Sequence, residues 1–216
     1  QQALQYAQAD LGQQIDRGAS GAEGTAAAAG TGRQHGIGDS LSELFNQFQS
    51  LSLQPSSQTE RDIVLTKASQ LAERFQQTDK RLSELQTSLN GFVASDVDQV
   101  NSALQDLANL NKQIASAEAM GDATANDLRD TRQSKLEELA KFVKFDAIEG
   151  EQSAINISVG GVSLVTGSNR VETLQAYDVD GKTMVRAATT GAPLDIMGGS
   201  IHGTIDARDT AVQSLR

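Results

Sequence analysis

The strongest structural pattern in the chain lies in residues 64–114, which read VLTKASQLAERFQQTDKRLSELQTSLNGFVASDVDQVNSALQDLANLNKQI. Apolar side chains recur there in steps of three and four, as in a helix with one continuous apolar seam. Between Leu85 and Val97 every step is four residues, a stutter that locally unwinds a supercoil. Asn90-Gly91 could form a turn there, but the seam resumes without a gap. The pattern therefore predicts one unbroken helix over 58–118, about 90 Å long at 1.5 Å per residue.

So long a helix needs partners along its length, and the seam should therefore be buried. Replacement of a large seam residue by alanine should destabilise the fold by about 2–5 kcal/mol. The predicted core residues on the seam are Leu71, Phe75, Leu82, Leu85, Val100 and Leu107.

Shorter helices are predicted before the seam. Residues 1–17 have apolar residues at helical spacing, and residues 18–36, rich in glycine and alanine, read as a flexible loop. Capping boxes at Ser40–Glu43 and Ser57–Glu60 predict two helix starts, the second that of the long helix. Pro55 should end the helix that starts at Ser40. The apolar face of that helix is predicted to comprise Leu41, Leu44, Phe45, Phe48 and Leu51.

After the seam, Gly121 suits a helix stop, and residues 124–127 should start a helix that runs antiparallel because its connection is short. Beyond Phe145 the apolar period changes to two, which indicates strands. Asp180-Gly181 indicates a hairpin turn. The predicted strands are 154–159, 162–165, 174–177, 183–187 and 194–196, and residues from about Gly203 to Arg216 should be helical again.

These elements predict an α+β fold, an elongated antiparallel helical bundle or rod with a long central helix and a small inserted β unit. The expected division is a helical rod domain over 1–146, containing the flexible loop 18–36, then a small β unit over 147–199. A helix over 200–216 should return to the rod. The chain begins at Gln1 without an initiator methionine, and we expect it to be a piece of a longer protein.

Composition limits the classes of function. The net charge is −10, which argues against a basic surface for nucleic acid or anionic membrane. Cysteine is absent, so disulfides and thiolate metal sites are excluded. Catalytic motifs such as GxSxG, HExxH and the P-loop are missing, and we expect no catalytic residue, no metal and no cofactor.

Residues that could carry chemistry have simpler structural explanations. His35 and His202 lie in glycine-rich surroundings without a partner pattern, which favours solvated or structural histidines. Asp178-Val179-Asp180-Gly181 resembles the start of a calcium loop but lacks the later ligands, so a tight turn is favoured. The glycosylation sequon at Asn156 lies in a predicted strand, and we interpret it as chance.

Two polar residues lie where apolar ones are expected. Asn111 is on the seam and could fix the register between helices, or it could face water at the frayed end of the seam. Arg132 lies between Leu128 and Leu136 on the same face of the predicted helix. It could reach a carboxylate between helices, or it could point outward with its stem over apolar surface.

Several segments together resemble the flagellar hook-associated protein 1 family, the family of the first hook–filament junction protein, which belongs with the flagellin-like axial proteins. The resemblance rests on the order and spacing of these segments: 41–51 with Pro55-Ser56-Ser57, 61–75, 97–101, 108–115, 126–139 and 198–209. It covers 38–145 closely and 146–216 loosely. The loop at 18–36 matches no family feature.

The resemblance implies a structural protein and not an enzyme. Such a protein is secreted by the type III export apparatus and becomes part of the extracellular flagellum. The implied partners are copies of itself in a junction ring, the hook protein and the second junction protein. An export chaperone would bind a C-terminal part outside this sequence. No nucleic acid and no membrane is implied.

Alternatives remain open at this stage. Another flagellar axial subunit, either the second junction protein or a flagellin-like subunit, would share the helical pattern. A coiled-coil adhesin or signalling domain would require a parallel dimer along the seam. Because nearby helices can cover the seam within one chain, we expect a monomer in solution.

Overall fold

The long helix dominates the structure, a computed structural model that describes residues 37–121 and 125–215. The helices are α1 Ile37–Leu53, α2 Gln58–Ala119, α3 Ala125–Phe142 and α4 Gly199–Asp206; a π-helical segment Ala207–Val212 leads from α4 into α5 Gln213–Leu215. The prediction of one unbroken helix over 58–118 is confirmed. The predicted helix at 1–17, the loop at 18–36, His35 and Thr124 lie outside the described residues.

Helix α2 begins with a side-chain cap. The Glu60 N–H donates to Ser57 Oγ at 3.3 Å, as the predicted capping box requires. The reciprocal contact of the box does not form, because the Ser57 N–H donates to Gln54 O at 3.0 Å. The prediction of a helix start at Ser40 is wrong, since α1 already begins at Ile37. The last helical run also begins earlier than Gly203, at Gly199.

Most of the predicted seam is buried. Val93, Val100 and Leu104 are fully buried, and Leu71, Leu82 and Leu107 are buried as predicted. Leu85 is half-buried. The prediction for Phe75 is wrong, because 53% of this residue is exposed.

The predicted apolar face of α1 is only half covered. Leu44 and Leu51 are half-buried, but Phe45 is 59% exposed and Phe48 is 48% exposed. Leu41 is exposed as well. The covered stripe of α1 instead runs through Ser40, Leu44, Gln47 and Leu51, one residue to the side of the aromatic stripe.

Helix α3 runs antiparallel to α2, as predicted. The contacts between them pair residue 118 with 129, 111 with 132 and 106 with 135, so one number rises as the other falls. Val143 and Leu139 are fully buried, and they join the core with the seam residues of α2. The second half of α2 therefore has the intrachain partner that the short connection indicated.

Among the described residues, six strands form two antiparallel sheets. The strands are β1 Asp146–Glu149, β2 Ile155–Val159, β3 Val162–Thr166, β4 Asn169–Arg170, β5 Leu174–Val179 and β6 Lys182–Ala187. The first four pair in chain order, and β5 pairs with β6. The sequence pattern missed β1, all of whose residues are exposed, and the two-residue β4.

The hairpin between β5 and β6 turns at Asp180-Gly181, as predicted. Asp180 has φ 53° and Gly181 has φ 78°, the pair of positive values that a two-residue type I′ turn requires. The predicted strand at 194–196 is wrong. Pro193 makes one isolated bridge to Arg186, flanked by hydrogen bonds from the Leu194 N–H to Val185 O at 3.0 Å and from the Ala187 N–H to Ala192 O at 2.9 Å. The ladder does not extend further, because the N–H and C=O of Thr183 bond Asn90 and Arg208 instead.

The described chain divides into two compact units. The first contains 37–85 with 214–215, and the second contains 86–213. Ion pairing of Lys67 with Glu43 at 2.8 Å links α1 to α2 within the first unit. The core of the second unit joins α2, α3 and α4 with both sheets. This partition differs from the division at 146 and 199 expected from the sequence, and that division stays a prediction.

Candidate functional site at the helix–strand junctions

Three asparagines of α2 connect this helix to the strands through their side-chain amides. Asn90, Asn101 and Asn111 each contact both a backbone N–H and a backbone C=O of the β segments. An amide side chain carries one acceptor and a two-proton donor, so it can pair with a strand as another strand does. We call these three sets of contacts the amide pairs.

The Asn111 pair is the most buried of the three. Asn111 is 1% exposed, and its Nδ2 donates to Ile155 O at 2.9 Å and to Gly167 O at 2.7 Å. Its Oδ1 accepts from the Ile155 N–H at 3.2 Å and from Arg132 at 2.9 Å. The alternative that Asn111 faces water is therefore wrong. It fixes the position of a helix against strands as well as against another helix.

Arg132 is buried beside Asn111, and the interpretation that it points outward is wrong. The guanidinium donates to Asn111 Oδ1 at 2.9 Å and to Ser153 O at 2.7 Å. Burial lowers the pKa of Arg132 below its ordinary value, because the charged form loses hydration. The alternative that it reaches between helices holds, but its partners are an amide oxygen and a backbone carbonyl and not a carboxylate. A charge held in this way is costly to leave unpaired.

The Asn101 pair holds the start of β5. Asn101 Nδ2 donates to Leu174 O at 2.8 Å, and its Oδ1 accepts from the Leu174 N–H at 2.9 Å. Leu174 is buried at 3% exposure, so its backbone groups need partners within the protein. The side chain of one helical residue thus satisfies both backbone groups of one strand residue.

The Asn90 pair holds the turn of the β5–β6 hairpin. Asn90 Nδ2 donates to Gly181 O at 2.8 Å, and its Oδ1 accepts from the Thr183 N–H at 3.1 Å and from Arg208 at 2.9 Å. Arg208 also donates to Thr183 O at 2.6 Å. The π-helical segment after α4 carries Arg208, so Asn90 connects α2, the hairpin and this segment.

Asp209 neutralises the buried Arg208. Arg208 donates to the two carboxylate oxygens of Asp209 at 2.9 Å and 3.0 Å, and Lys182 lies 3.2 Å from the same carboxylate. Hydrogen bonding from Arg208, followed by that from Lys182, holds the pKa of Asp209 below its usual range. Since Lys182 belongs to β6, the ion pairs strengthen the attachment of the hairpin.

Glu172 organises the loop before β5. Its Oε1 accepts from the Thr189 N–H at 3.0 Å and from the Thr173 N–H at 2.8 Å. These backbone donors, Thr189 first, lower the pKa of Glu172 because they stabilise the charged form. Glu172 therefore fastens the segment after β6 to the start of β5.

The remaining candidates from the sequence have structural roles or none in the described residues. Asp178 Oδ1 accepts from the Gly181 N–H at 3.1 Å, which is a turn contact and not a calcium loop. Asn156 lies in β2, and its Oδ1 accepts from the Gly167 N–H at 2.7 Å. His202 is exposed on α4. Across 37–121 and 125–215, no group of three or more His, Asp or Glu side chains is placed to hold a metal ion.

Sequence reasoning missed Asn90 and Asn101 as contact residues, and it missed Arg208 and Glu172. A pattern existed that could have indicated the asparagines, because they are spaced 11 and 10 residues apart along α2. Such intervals lie close to three helical turns and keep the side chains on one side of the helix. Their partners could not be read, because the backbone groups that they contact have no sequence signature.

Comparison with known proteins identifies the family. The family described as "Flagellar hook-associated protein FlgK helical domain" matches residues 28–216. The chain belongs to this family. The amide pairs, the hairpin and Arg208 all lie within the matched residues.

Two relatives of this member of the FlgK helical domain family have the same name. Flagellar hook-associated protein 1 of Salmonella typhimurium is 31% identical over 134 residues, which cover 61% of this chain and 24% of the relative. Its namesake in Bacillus subtilis is 29% identical over 181 residues, or 83% of this chain and 35% of the relative. The chain thus spans about a quarter to a third of the length of these relatives.

A solved structure supports the α+β fold. The flagellar hook junction protein FlgK of Burkholderia pseudomallei superposes with a TM-score of 0.70 at 22% identity, covering 80% of this chain and 33% of that protein. None of the helices among the described residues is both long and apolar enough to cross a membrane. The family and the fold therefore agree with the resemblance found in the sequence.

Proposed function

We propose that this chain is the helical part of a structural adapter at the hook–filament junction of the bacterial flagellum. The observation that carries the proposal is the family match over residues 28–216, together with the fold. The names of the relatives support the first junction protein over the second junction protein or a flagellin-like subunit. In this role the chain does no chemistry and transmits load between neighbouring parts.

The geometry suits a load-bearing part. Within 86–213, α2 is attached to the strands at three levels by the amide pairs, in addition to the apolar core. Sliding the helix by one residue would break all three pairs at once, because each amide reaches its backbone partners at one placement of the helix only. We infer that the amide pairs keep the β segments in register with the helix under axial load.

The proposed partners follow from the same role. Copies of this protein would form a junction ring, with the hook protein on one side and the second junction protein on the other. The exposed stripe of Leu41, Phe45 and Phe48 on α1 is a surface that such neighbours could cover. We also propose that the protein is secreted to the extracellular flagellum. An export chaperone would bind elsewhere in the full protein.

Deletion of the gene in the source bacterium tests the proposal. We expect hooks that carry no filament in electron micrographs, and loss of swimming, with both restored by the full-length gene. A full-length gene carrying Leu104→Asp is the matched negative control, because a carboxylate at this fully buried position should prevent folding. Filaments still attached to their hooks in the deletion strain would contradict the proposal.

Sedimentation equilibrium separates the proposal from the coiled-coil adhesin or signalling alternative. We expect one species near the 22.8 kDa mass of the chain at micromolar concentration. A tight parallel dimer would favour the alternative, since two such chains would share the seam of α2.

A further inference from the structure

Asn90-Gly91 is the only Asn-Gly pair in the 216-residue sequence, and it lies inside α2. The helix gives no packing reason for this glycine, since a Cβ at Gly91 would meet nothing within 4 Å. Alanine would be favoured over glycine in a helix interior by about 1 kcal/mol. Neither packing nor helix propensity therefore accounts for glycine at this position, and the remaining property of the Asn-Gly pair is a chemical one.

That property is the loss of the asparagine amide. In a flexible chain the Gly91 nitrogen can attack Cγ of Asn90, which forms a five-membered succinimide and expels ammonia. Water then opens the ring at one of its two carbonyls and gives aspartate or isoaspartate. This reaction is one reason that asparagine is a thermolabile residue. Glycine after the asparagine hinders the attack least, because it has no Cβ.

The fold opposes each step of this reaction. The helix holds Asn90 near the α-helical ψ of about −42° and directs the Gly91 N–H along the helix axis, away from the Asn90 side chain. The carboxamide itself is held by three groups, Gly181 O at 2.8 Å, Arg208 at 2.9 Å and the Thr183 N–H at 3.1 Å. Ring closure requires the release of all three contacts and of the helix turn.

We propose that Asn90-Gly91 is a conditional deamidation site, inert while the hairpin contacts are made and reactive when this region unfolds. The modified chain cannot rebuild the same contact. Aspartate has no N–H to donate to Gly181 O, and isoaspartate adds a methylene group to the backbone of α2. Deamidation would therefore record a period spent unfolded and loosen the hairpin afterwards.

Peptide mass mapping of the full chain tests the proposal. The protein is incubated at mildly alkaline pH in native buffer and in concentrated urea, and conversion at Asn90 to aspartate or isoaspartate is followed over time. We expect the rate in urea to exceed the native rate at least tenfold, which corresponds to an opening free energy of about 1.4 kcal/mol. Equal rates in the two conditions would overturn the proposal.

Two variants separate the chemistry from the protection. Gly91→Ala should slow conversion in urea at least severalfold, and this measurement needs no folded protein; an unchanged rate would overturn the assignment of the reactive pair. Arg208→Gln removes a contact to the amide, so conversion in native buffer should rise while the rate in urea stays that of the wild type. A native rate equal to that of the wild type would show that the hairpin contacts do not protect Asn90.

Discussion

Asn111→Ala tests the most buried amide pair. The substitution removes four hydrogen bonds, two donated by Asn111 Nδ2 and two accepted by its Oδ1. The Ile155 N–H and two carbonyls lose their partner, at a cost of about 1–3 kcal/mol for each buried group left unsatisfied. Arg132 keeps Ser153 O but loses its amide partner, and an uncompensated buried charge costs about 3–5 kcal/mol.

These costs overlap, because water can enter the space that the amide leaves. We therefore expect a total loss of about 3–5 kcal/mol in the free energy of unfolding, the cost of one broken buried charge contact. Urea denaturation followed by circular dichroism measures this loss. Hydrogen exchange at the Ile155 amide adds a local reading, since this N–H should lose its protection when Asn111 Oδ1 is removed.

Asn109→Ala is the matched control on the same helix. Asn109 is exposed and accepts one hydrogen bond from Gln105 at 3.3 Å, so its loss should stay within about 0.5 kcal/mol. In a background with Arg132→Met, Asn111→Ala should cost at least about 1 kcal/mol less, because the buried charge is gone. A loss from Asn111→Ala as small as that from Asn109→Ala would refute the reasoning.

Three further predictions concern backbone approach, pH and the seam. Gly199→Ala should destabilise by about 2–5 kcal/mol in thermal melts, since its φ is 74° and a Cβ there would lie within 2.5 Å of the backbone at residues 142–143; the control Gly203→Ala, with nothing within 4 Å, should not destabilise. Because folding lowers the pKa of Glu172, its carboxylate stabilises the fold at pH values above the pKa of the unfolded chain, near 4.5. This contribution is lost as the pH falls through the pKa of the folded protein. Glu172→Gln should therefore lose more stability at pH 7 than at pH 3 in urea titrations, and an equal loss would contradict it. Leu107→Ala should cost about 2–5 kcal/mol and the exposed Phe75→Ala less than about 1 kcal/mol by denaturation; the reverse order would show that the burial of the seam is misassigned.

The sequence predicted those features that repeat. The seam of α2 repeats an apolar residue every three or four positions, and that repeat survives at Val93, Val100 and Leu107. Phe75 fits the same spacing but is exposed. Helix α1 begins at Ile37 and contacts α2 through Glu43 and Lys67, so its described part does not extend over Phe75. A repeat shows that a face is apolar, whereas burial depends on where the partner helix ends.

The contacts of Asn111 and Arg132 could not be predicted for a different reason. Both residues stood out in the sequence because they interrupt apolar lines, and each had two alternatives; the structure shows that both are buried. Apart from each other, their partners are Ile155, Gly167 and Ser153, which contribute backbone groups. Every residue carries such groups, so only the three-dimensional placement of the strands could identify these partners.

The contacts at Leu174 and Thr183 occupy backbone hydrogen-bonding groups on the two edges of the β5–β6 sheet. Both residues lie at positions whose backbone groups point away from the β5–β6 ladder, where another strand could pair with them. Asn101 takes both groups of Leu174, and Asn90 and Arg208 take those of Thr183. Unpaired edges are templates for strand addition and aggregation. Side chains from α2 and from the π-helical segment thus occupy one position on each edge of a two-stranded sheet and leave these positions no hydrogen bond to offer a neighbouring chain.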